Sequence, residues 1–455
     1  MSRLLQDMDI DEILDNLRYL IKAGQLNFAL PVFADLHPSD IAEIISRLDE
    51  EERRAIFSLL PSEQASEVLV ELGEPVVEDV LEEMDTRQIA EMVNEMESDD
   101  AADLLSDLPP EQAAMVLEHV EDESSEEIQE LLLYPEDSAG GIMAKEFVSV
   151  TAGATVKKAI DEIRRKHEEV ENIYYCFVTD DFGMLLGSIT LRSLILADNK
   201  TRVKNIMDTD IVTIDVQMDQ EEVARIFKKY DLVVAPVVNQ RRKLLGRITV
   251  DDIVDVIDEE IEEDLARMAG TGEEEVLEDS VMQITRARLP WLILSFIGQI
   301  LAAIIMKYFQ GTIQQIIAST FFIPMVMAIG GSVGQQSSII VVRGLATGEI
   351  SFGDTRRRLQ REFGVAILNG LALGGLIFTI IFLWDRDYLF GSLLAVSLLF
   401  IIINASLFGA IIPILFKKFN VDPALATGPF VATFNDVIGL MIYFSLLTLG
   451  FHYIL

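Results

Sequence analysis

Cysteine and histidine are scarce in this chain of 455 residues, which has one Cys and four His. The single Cys176 excludes an intrachain disulfide, and the scattered histidines make a zinc or haem site unexpected. No nucleophile–base pair and no glycine-rich phosphate loop occurs in the sequence, so an enzyme is not expected. The opening MSRLLQDMDIDEIL is acidic and lacks an apolar core, which is atypical of a signal peptide.

Basic residues are scarce in the first 288 positions, which contain 27 Lys and Arg but 68 Asp and Glu. Residues 289–455 carry nine Lys and Arg against seven Asp and Glu. An acidic, hydrophilic part is therefore joined to an apolar, nearly neutral part, over a length that suits about three domains. An acidic surface attracts cations and repels nucleic acid, so no nucleic-acid partner is expected.

Residues 1–135 contain an internal repeat. Short polar segments such as HPSD, LPSE and MDTR separate its units and are typical of helix N-termini. The repeat predicts an all-α superhelical N-domain built from two-turn helices. Asp99 and Asp103 are four positions apart, a spacing that places both on one helix face and costs stability unless a cation lies between them. Apolar residues recur every twelve positions, at Leu36, Leu48, Leu60, Leu72, Met84, Met96, Leu108 and Val120.

Residues 136–249 predict two tandem β-α-β-β-α units and resemble a pair of CBS domains. The motifs that carry this resemblance are Met143 and Met207, which open the two units, and the stretch Leu245–Asp252. CBS pairs commonly bind adenine nucleotides through a Thr/Ser-x-x-Asp motif, so the resemblance implies that Thr249 and Asp252 contact a nucleotide such as ATP. The first unit has Thr190 and Ser193 but lacks the Asp, and a purely structural CBS pair remains the alternative.

Residues 250–285 form an acidic connector, predicted as a helix followed by a linker from Glu273 to Asp279. Nine carboxylates fall within the fourteen residues 251–264. Their mutual repulsion would weaken the helix unless cations screened it, which indicates a regulatory role for an ion; a solvated helix face is the alternative.

Residues 286–455 predict an all-α domain of five membrane spans, at 289–308, 313–342, 363–384, 389–416 and 424–450. If the N-terminal half is cytoplasmic, nine Lys and Arg flank the inner face and two flank the outer face, as the positive-inside rule requires. The sequence therefore predicts a multi-pass protein of the cell (inner) membrane.

One carboxylate, Asp436, lies near the middle of the fifth span, whose interior holds no Lys or Arg. An acid there costs roughly 2.5–3.5 kcal/mol, so it is expected to be protonated, exposed to water in a pore, or close to a cation. The second span adds Gln335 and Gln336, together with Pro324. Oxygen ligands without His or Cys suit a hard cation such as magnesium or calcium.

The complete order of parts resembles the MgtE family of magnesium channels. The motifs DDAAD, DDIVDVIDEEIEED, GGSVGQQ and VDPALATGPFVATFNDVIGL carry this resemblance across essentially the whole chain. It implies a homodimer in which Asp436 of both subunits faces one pore and holds hydrated magnesium, with Asp422 at the cytosolic end. Asn435 and Ser332 are further candidates for the pore. The family usually has Asn at the position of Ser332 and often at that of Gly428.

The resemblance also implies regulatory magnesium sites and a connector that closes the pore as a plug. The expected function is a magnesium-selective channel that cytosolic magnesium closes. An ion-coupled secondary transporter, driven by protons or sodium, is the alternative, and a membrane-tethered nucleotide sensor is a third class. The implied regulatory ligands are Asp99, Asp103, Asp219, Glu221, Asp231, Asp252, Asp255, Glu260, Glu263 and Asp264.

Overall fold

The computed structural model describes residues 10–454 with several short gaps. The gaps are residues 24, 26, 27, 29, 35, 83, 168, 169, 171, 272–279, 348, 349, 351, 352, 354, 385 and 420. The predicted acidic linker therefore lies outside the described residues. The chain divides into two compact units, Met1–Asp258 and Glu259–Leu455, and each is described by itself below.

Short helices form the first part of unit 1, and most of them pack against the next helix but one: α1 on α3, α3 on α5, α4 on α6, α5 on α7, α7 on α9 and α8 on α10. Helix caps explain their ends: the Asp49 carboxylate accepts a hydrogen bond from the Glu52 amide at the start of α4, and Asp85 forms a capping box with Gln88 at the start of α7. The predicted helical superhelix is confirmed. The helices are α1 (Ile10–Lys22), α2 (Leu30–Phe33), α3 (Pro38–Ser46), α4 (Glu50–Phe57), α5 (Ser62–Val70), α6 (Glu74–Leu81), α7 (Thr86–Val93), α8 (Ser98–Asp107), α9 (Pro110–Leu117) and α10 (Asp122–Leu131).

Two three-stranded sheets follow, with strand orders β1-β2-β3 and β4-β5-β6. In each sheet the first pair of strands is parallel and the second is antiparallel, so the two halves repeat one topology, as the predicted CBS pair requires. Strand β5 is buried along its full length. The elements are β1 (Ser149–Thr151), α11 (Val156–Arg165), β2 (Tyr175–Thr179), β3 (Leu185–Thr190), α12 (Leu191–Leu196), β4 (Ile214–Asp215), α13 (Gln220–Tyr230), β5 (Val234–Val238), β6 (Leu244–Thr249) and α14 (Val250–Ala269).

Unit 2 contains the predicted membrane spans. Within the described residues, five helical segments are long and apolar enough to cross a bilayer, which confirms the predicted five-helix domain. Helix α19 lies at the centre and packs against α17, α18 and α20, whereas α15 packs mainly on α20. The helices are α15 (Val281–Tyr308), α16 (Gln310–Gln315), α17 (Ile323–Ala346), α18 (Thr355–Trp384), α19 (Tyr388–Lys418) and α20 (Gly428–Ile454).

The second span differs from the sequence prediction at its beginning. A 3₁₀ segment at Ile317–Phe322 precedes α17, and Pro324 lies in the first turn of that helix. Pro324, predicted inside the second span, therefore begins the main helix of that span and does not interrupt it. A first-turn Pro breaks no helical hydrogen bond, because the amides of that turn have no intrahelical acceptor.

Candidate metal sites

Asp436 lies on α20 and is half-buried. The side-chain amide of Gln299, on α15, donates a hydrogen bond of 2.7 Å to its Oδ2 atom. Gly298 allows the two helices to approach this closely, because a Cβ there would lie 1.9 Å from Cγ2 of Thr433. Sequence reasoning missed Gln299; a polar side chain beside a glycine in the first span was the available signal. A neutral amide orients the carboxylate without cancelling its charge.

Two further pore candidates, Asn435 and Ser332, have different environments. Asn435 is 4% exposed and packs against α17, where a Cβ on Gly334 would lie 1.9 Å from its Nδ2 atom. Its Nδ2 atom is 3.5 Å from the Gly330 carbonyl oxygen, and its Oδ1 atom is buried without a hydrogen-bond partner in the described part of the chain. Ser332 lies on an exposed face of α17. Asn435 thus lies in the packing between α17 and α20.

Asp422 precedes α20 and is held from two sides. Its Oδ1 atom accepts a 2.8 Å hydrogen bond from the Ala424 amide, and its Oδ2 atom forms an ion pair with Arg267. Arg267 lies in the last turn of α14 and also pairs with Glu263 one turn earlier. The C-terminal end of the connector helix is therefore bound to the segment in which Asp422 was predicted to line the cytosolic end of a pore.

Backbone contacts strengthen this attachment. Gly428 has a φ of 45°, and a Cβ there would lie 2.4 Å from the Met268 carbonyl oxygen. A Cβ on Gly270, at the end of α14, would lie 3.0 Å from the Pro429 ring. Gly428 departs from the expected Asn, and this contact gives a physical reason, since only glycine combines a positive φ with such a close approach.

A second group of acids lies in unit 1 and is called the acid cluster; it consists of Glu97, Asp99, Asp100, Glu146 and Asp252. Asp99 is 6% exposed. Burial raises the pKa of Asp99 well above its usual range, and the charge of Asp100 raises it further. Burial and the charges of Asp252 and Glu97 raise the pKa of Asp100 to about 8. Burial also raises the pKa of Asp252.

Hydrogen bonds hold the rim of the acid cluster. The Arg247 guanidinium donates to both carboxylate oxygens of Glu97, at 2.5 and 2.9 Å. Ser98 donates to Glu146 at 2.8 Å. Asp99, Asp100 and Asp252 therefore form the part of the cluster in which burial and mutual repulsion act against ionisation.

The donor chemistry of the acid cluster fits a hard cation such as magnesium, because its carboxylates are desolvated and repel one another. Across the residues that the structure describes, however, no three side chains of His, Cys, Asp or Glu converge on one ion-sized position. Asp103 is exposed, whereas Asp99, four residues earlier, is buried. Asp100 belongs to the acid cluster, although the sequence did not identify it as a regulatory ligand.

The remaining regulatory candidates are spread along two helices. Asp219 caps α13 by accepting from the Glu221 amide, and Asp231 follows the other end of that helix in a left-handed conformation. Twelve residues of helix separate these two acids by about 18 Å, so they do not meet in one protomer. On α14, burial and the charge of Glu71 raise the pKa of Asp255. Three acids in the later turns of α14, Glu260, Glu263 and Asp264, are half-buried.

The candidate nucleotide residues bind each other. The amide and the hydroxyl of Thr249 donate to Oδ2 of Asp252, at 2.8 and 2.9 Å, and Thr249 is 3% exposed. In the first CBS-like unit, the Thr190 and Ser193 hydroxyls lie 2.9 Å apart. Thr249 and Asp252 thus cap α14, and Asp252 belongs to both the motif and the acid cluster.

Comparisons with known proteins cover almost all of the chain. Residues 36–137 match the MgtE intracellular N domain, residues 139–200 and 203–259 match the CBS domain, and residues 323–446 match the MgtE divalent cation transporter family. The magnesium transporter MgtE of Thermus thermophilus is 35% identical over 435 residues, which cover 94% of this chain and 96% of that protein. Its counterpart in Bacillus subtilis is 34% identical over 450 residues, which cover 99% of this chain and 100% of that protein.

Two solved structures resemble unit 1 in both fold and sequence. One is the crystal structure of the soluble part of a magnesium transporter, with 35% identity and a TM-score of 0.51. The match covers 55% of this chain and 99% of the chain in that structure. The other is the crystal structure of the cytosolic domain of the Mg²⁺ channel MgtE in complex with ATP, with 34% identity and a TM-score of 0.51. The match covers 53% of this chain and 99% of the chain in that structure.

Proposed function

The chain belongs to the MgtE family of magnesium transporters, and on this premise we propose that it is a magnesium-selective channel that cytosolic magnesium closes. The observation that carries the gating proposal is the attachment of the last turn of α14 to the start of α20. Arg267 binds Asp422 there, and Gly428 contacts the Met268 carbonyl. The end of an acidic helix thus covers the segment proposed to open into the pore.

The proposed pore belongs to a homodimer in the cell (inner) membrane, with the N-terminal half in the cytoplasm. Asp436 of each subunit would face the dimer axis, oriented by Gln299. Two facing carboxylates repel each other unless a cation lies between them, and hydrated Mg²⁺ suits such a pair because it gives up its water reluctantly. Magnesium is here the transported ion.

Regulation is proposed to use the acids of unit 1 and the connector. Helix α14 carries Asp252 of the acid cluster in its first turn and Arg267 in its last turn. When magnesium is abundant, its binding to the desolvated carboxylates offsets their repulsion and favours the compact, closed state. When magnesium is scarce, repulsion shifts the population towards an open state.

Adenine nucleotide binding at the CBS pair forms a further part of the proposal. A related cytosolic domain was solved with ATP, and Thr249 and Asp252 of this chain match the Thr-x-x-Asp motif. Their mutual hydrogen bonds would have to open, or be shared, for a phosphate or ribose to bind the Thr249 hydroxyl.

Flux measurements on the purified protein in liposomes test the gating proposal. Arg267→Gln removes the ion pair with Asp422 and is expected to leave Mg²⁺ flux high at internal magnesium levels that close the unchanged protein. Arg286→Gln is the matched control, because it removes an exposed arginine near the same predicted membrane face. Equal magnesium inhibition in both variants would refute the proposed role of the ion pair.

The ion-coupled transporter remains the second candidate because Asp436 is a titratable group in mid-span. Currents that reverse at the magnesium Nernst potential, independently of pH and sodium gradients, support the channel. A reversal potential that shifts with either gradient supports the transporter. Asp436→Asn is expected to abolish most Mg²⁺ flux whether the protein is a channel or a transporter. This variant therefore tests the site, and the reversal potential distinguishes the two mechanisms.

A further inference from the structure

A cleft of about 560 Å³ separates α17 from α18, although both helices pack on α19. Two arginines of the first turns of α18, Arg358 and Arg361, line it together with Gln336 of α17. In the predicted orientation, α18 begins at the cytosolic face, so this polar part of the cleft lies at the level of the inner headgroups. Gln336 is among the polar residues that the sequence places in the second span, but the lining includes none of Asp436, Asp422, Asn435 and Ser332.

The charges in the cleft are unbalanced. Arg358 forms an ion pair with the buried Glu362, which also accepts hydrogen bonds from Ser337 at 2.8 Å and Ser406 at 2.9 Å. Glu362 is thus committed to partners within the protein. Arg361 is exposed and forms no ion pair with any residue that the structure describes. The cleft therefore retains a net positive charge available to an anion.

The rest of the cleft is apolar and open. Leu368 is 69% exposed and Ile340 is 50% exposed, and Val333 and Val365 extend the same walls. Ten residues of helix separate Arg358 from Leu368, which is about 15 Å along the membrane normal. A basic end at the level of the headgroups and an apolar end at the level of the hydrocarbon match the two parts of a phospholipid.

We propose that this cleft binds an anionic phospholipid of the inner leaflet, with Arg361 and Arg358 contacting its phosphate and the apolar walls contacting an acyl chain. Basic pockets between membrane helices on the cytosolic side are known sites for anionic headgroups. Free phosphate would leave the apolar walls uncovered, and a second copy of the chain would have to neutralise Arg361. Binding at this site does not depend on whether the protein is a channel or a coupled transporter.

Two glycines of α18 provide a steric test. Gly364 lines the cleft and Gly375 does not, and a Cβ on either residue meets no atom within 4 Å. Gly364→Leu therefore adds an apolar side chain to the wall of the cleft at a position with room for its Cβ, and Gly375→Leu makes the same change outside the cleft. Native mass spectrometry of the purified full-length protein, with added phosphatidylglycerol or phosphatidylcholine, is expected to show retained phosphatidylglycerol in the unchanged protein and Gly375→Leu. Gly364→Leu is expected to lose it.

A charge test provides independent variants. Arg361→Gln is expected to weaken phosphatidylglycerol binding about fivefold, as for one basic residue near an anionic surface. Arg357→Gln, one turn earlier on α18 and outside the lining of the cleft, is expected to change phosphatidylglycerol binding little. Equal retention of phosphatidylcholine, displacement by excess inorganic phosphate, or equal binding by the paired variants would refute the lipid site. Dissociation of the dimer by Gly364→Leu alone would instead identify the cleft as a subunit interface.

Discussion

Protons released from the acid cluster give a quantitative test of magnesium regulation. Asp100 has a pKa of about 8, so at pH 7 its carboxyl is about nine-tenths protonated. A Mg²⁺ ion that binds this carboxylate must displace the proton. The unchanged protein is therefore expected to release about one proton from Asp100 on binding magnesium at pH 7, with a further contribution from Asp99, and magnesium affinity is expected to rise with pH up to about 8.

The same pKa shift predicts how stability depends on pH without magnesium. A carboxyl whose folded-state pKa is raised from 3.8 to about 8 contributes stability below pH 4 that is lost as pH rises towards 8. At pH 7 this loss is a cost of about 4 kcal/mol, because the unfolded chain ionises Asp100 whereas the folded chain keeps it largely protonated. Asp100→Asn removes this cost and is expected to stabilise unit 1 against unfolding at pH 7 in the absence of magnesium.

Isothermal titration calorimetry of the full-length protein in two buffers of different ionisation enthalpy measures the released protons directly. Asp100→Asn is expected to lower the release at pH 7 by about 0.9 protons per chain, and Glu111→Gln, an exposed acid on the next helix, is expected to leave it unchanged. Equal proton release by Asp100→Asn and the unchanged protein would refute this account of the acid cluster.

Two further predictions concern the membrane unit. Gln299→Leu removes the hydrogen bond that orients Asp436, worth about 1 kcal/mol, and is expected to lower Mg²⁺ flux in liposomes about fivefold; unchanged flux would exclude an orienting role. Gly428→Ala places a Cβ against the Met268 carbonyl oxygen, so it is expected to separate the end of α14 from the start of α20 and to raise Mg²⁺ flux at inhibitory internal magnesium. Gly311→Ala, where a Cβ meets no atom within 4 Å, is its control, and equal inhibition of both variants would contradict this prediction.

The sequence predicts those parts of the fold that local signals specify. The twelve-residue period and its caps predict the short helices, and the apolar runs predict the five spans. It does not predict the contacts that define the sites, because these join residues far apart in the chain. Gln299 and Asp436 are 137 positions apart, and Arg267 and Asp422 are 155 apart. Helical spacing also paired Asp99 with Asp103, yet packing buries Asp99 and leaves Asp103 exposed.

The alternation of helices in the N-domain constrains how its length can change. Helices α3, α5, α7 and α9 pack in succession, each on the next in this series. Buried positions recur every 24 residues at Ile41, Ala65 and Ile89. Gain or loss of 24 residues would therefore leave every core position with neighbours of the same kind. A change of twelve residues would instead move every later helix from one alternating series to the other. Related proteins are therefore expected to differ in the length of this domain by pairs of helices.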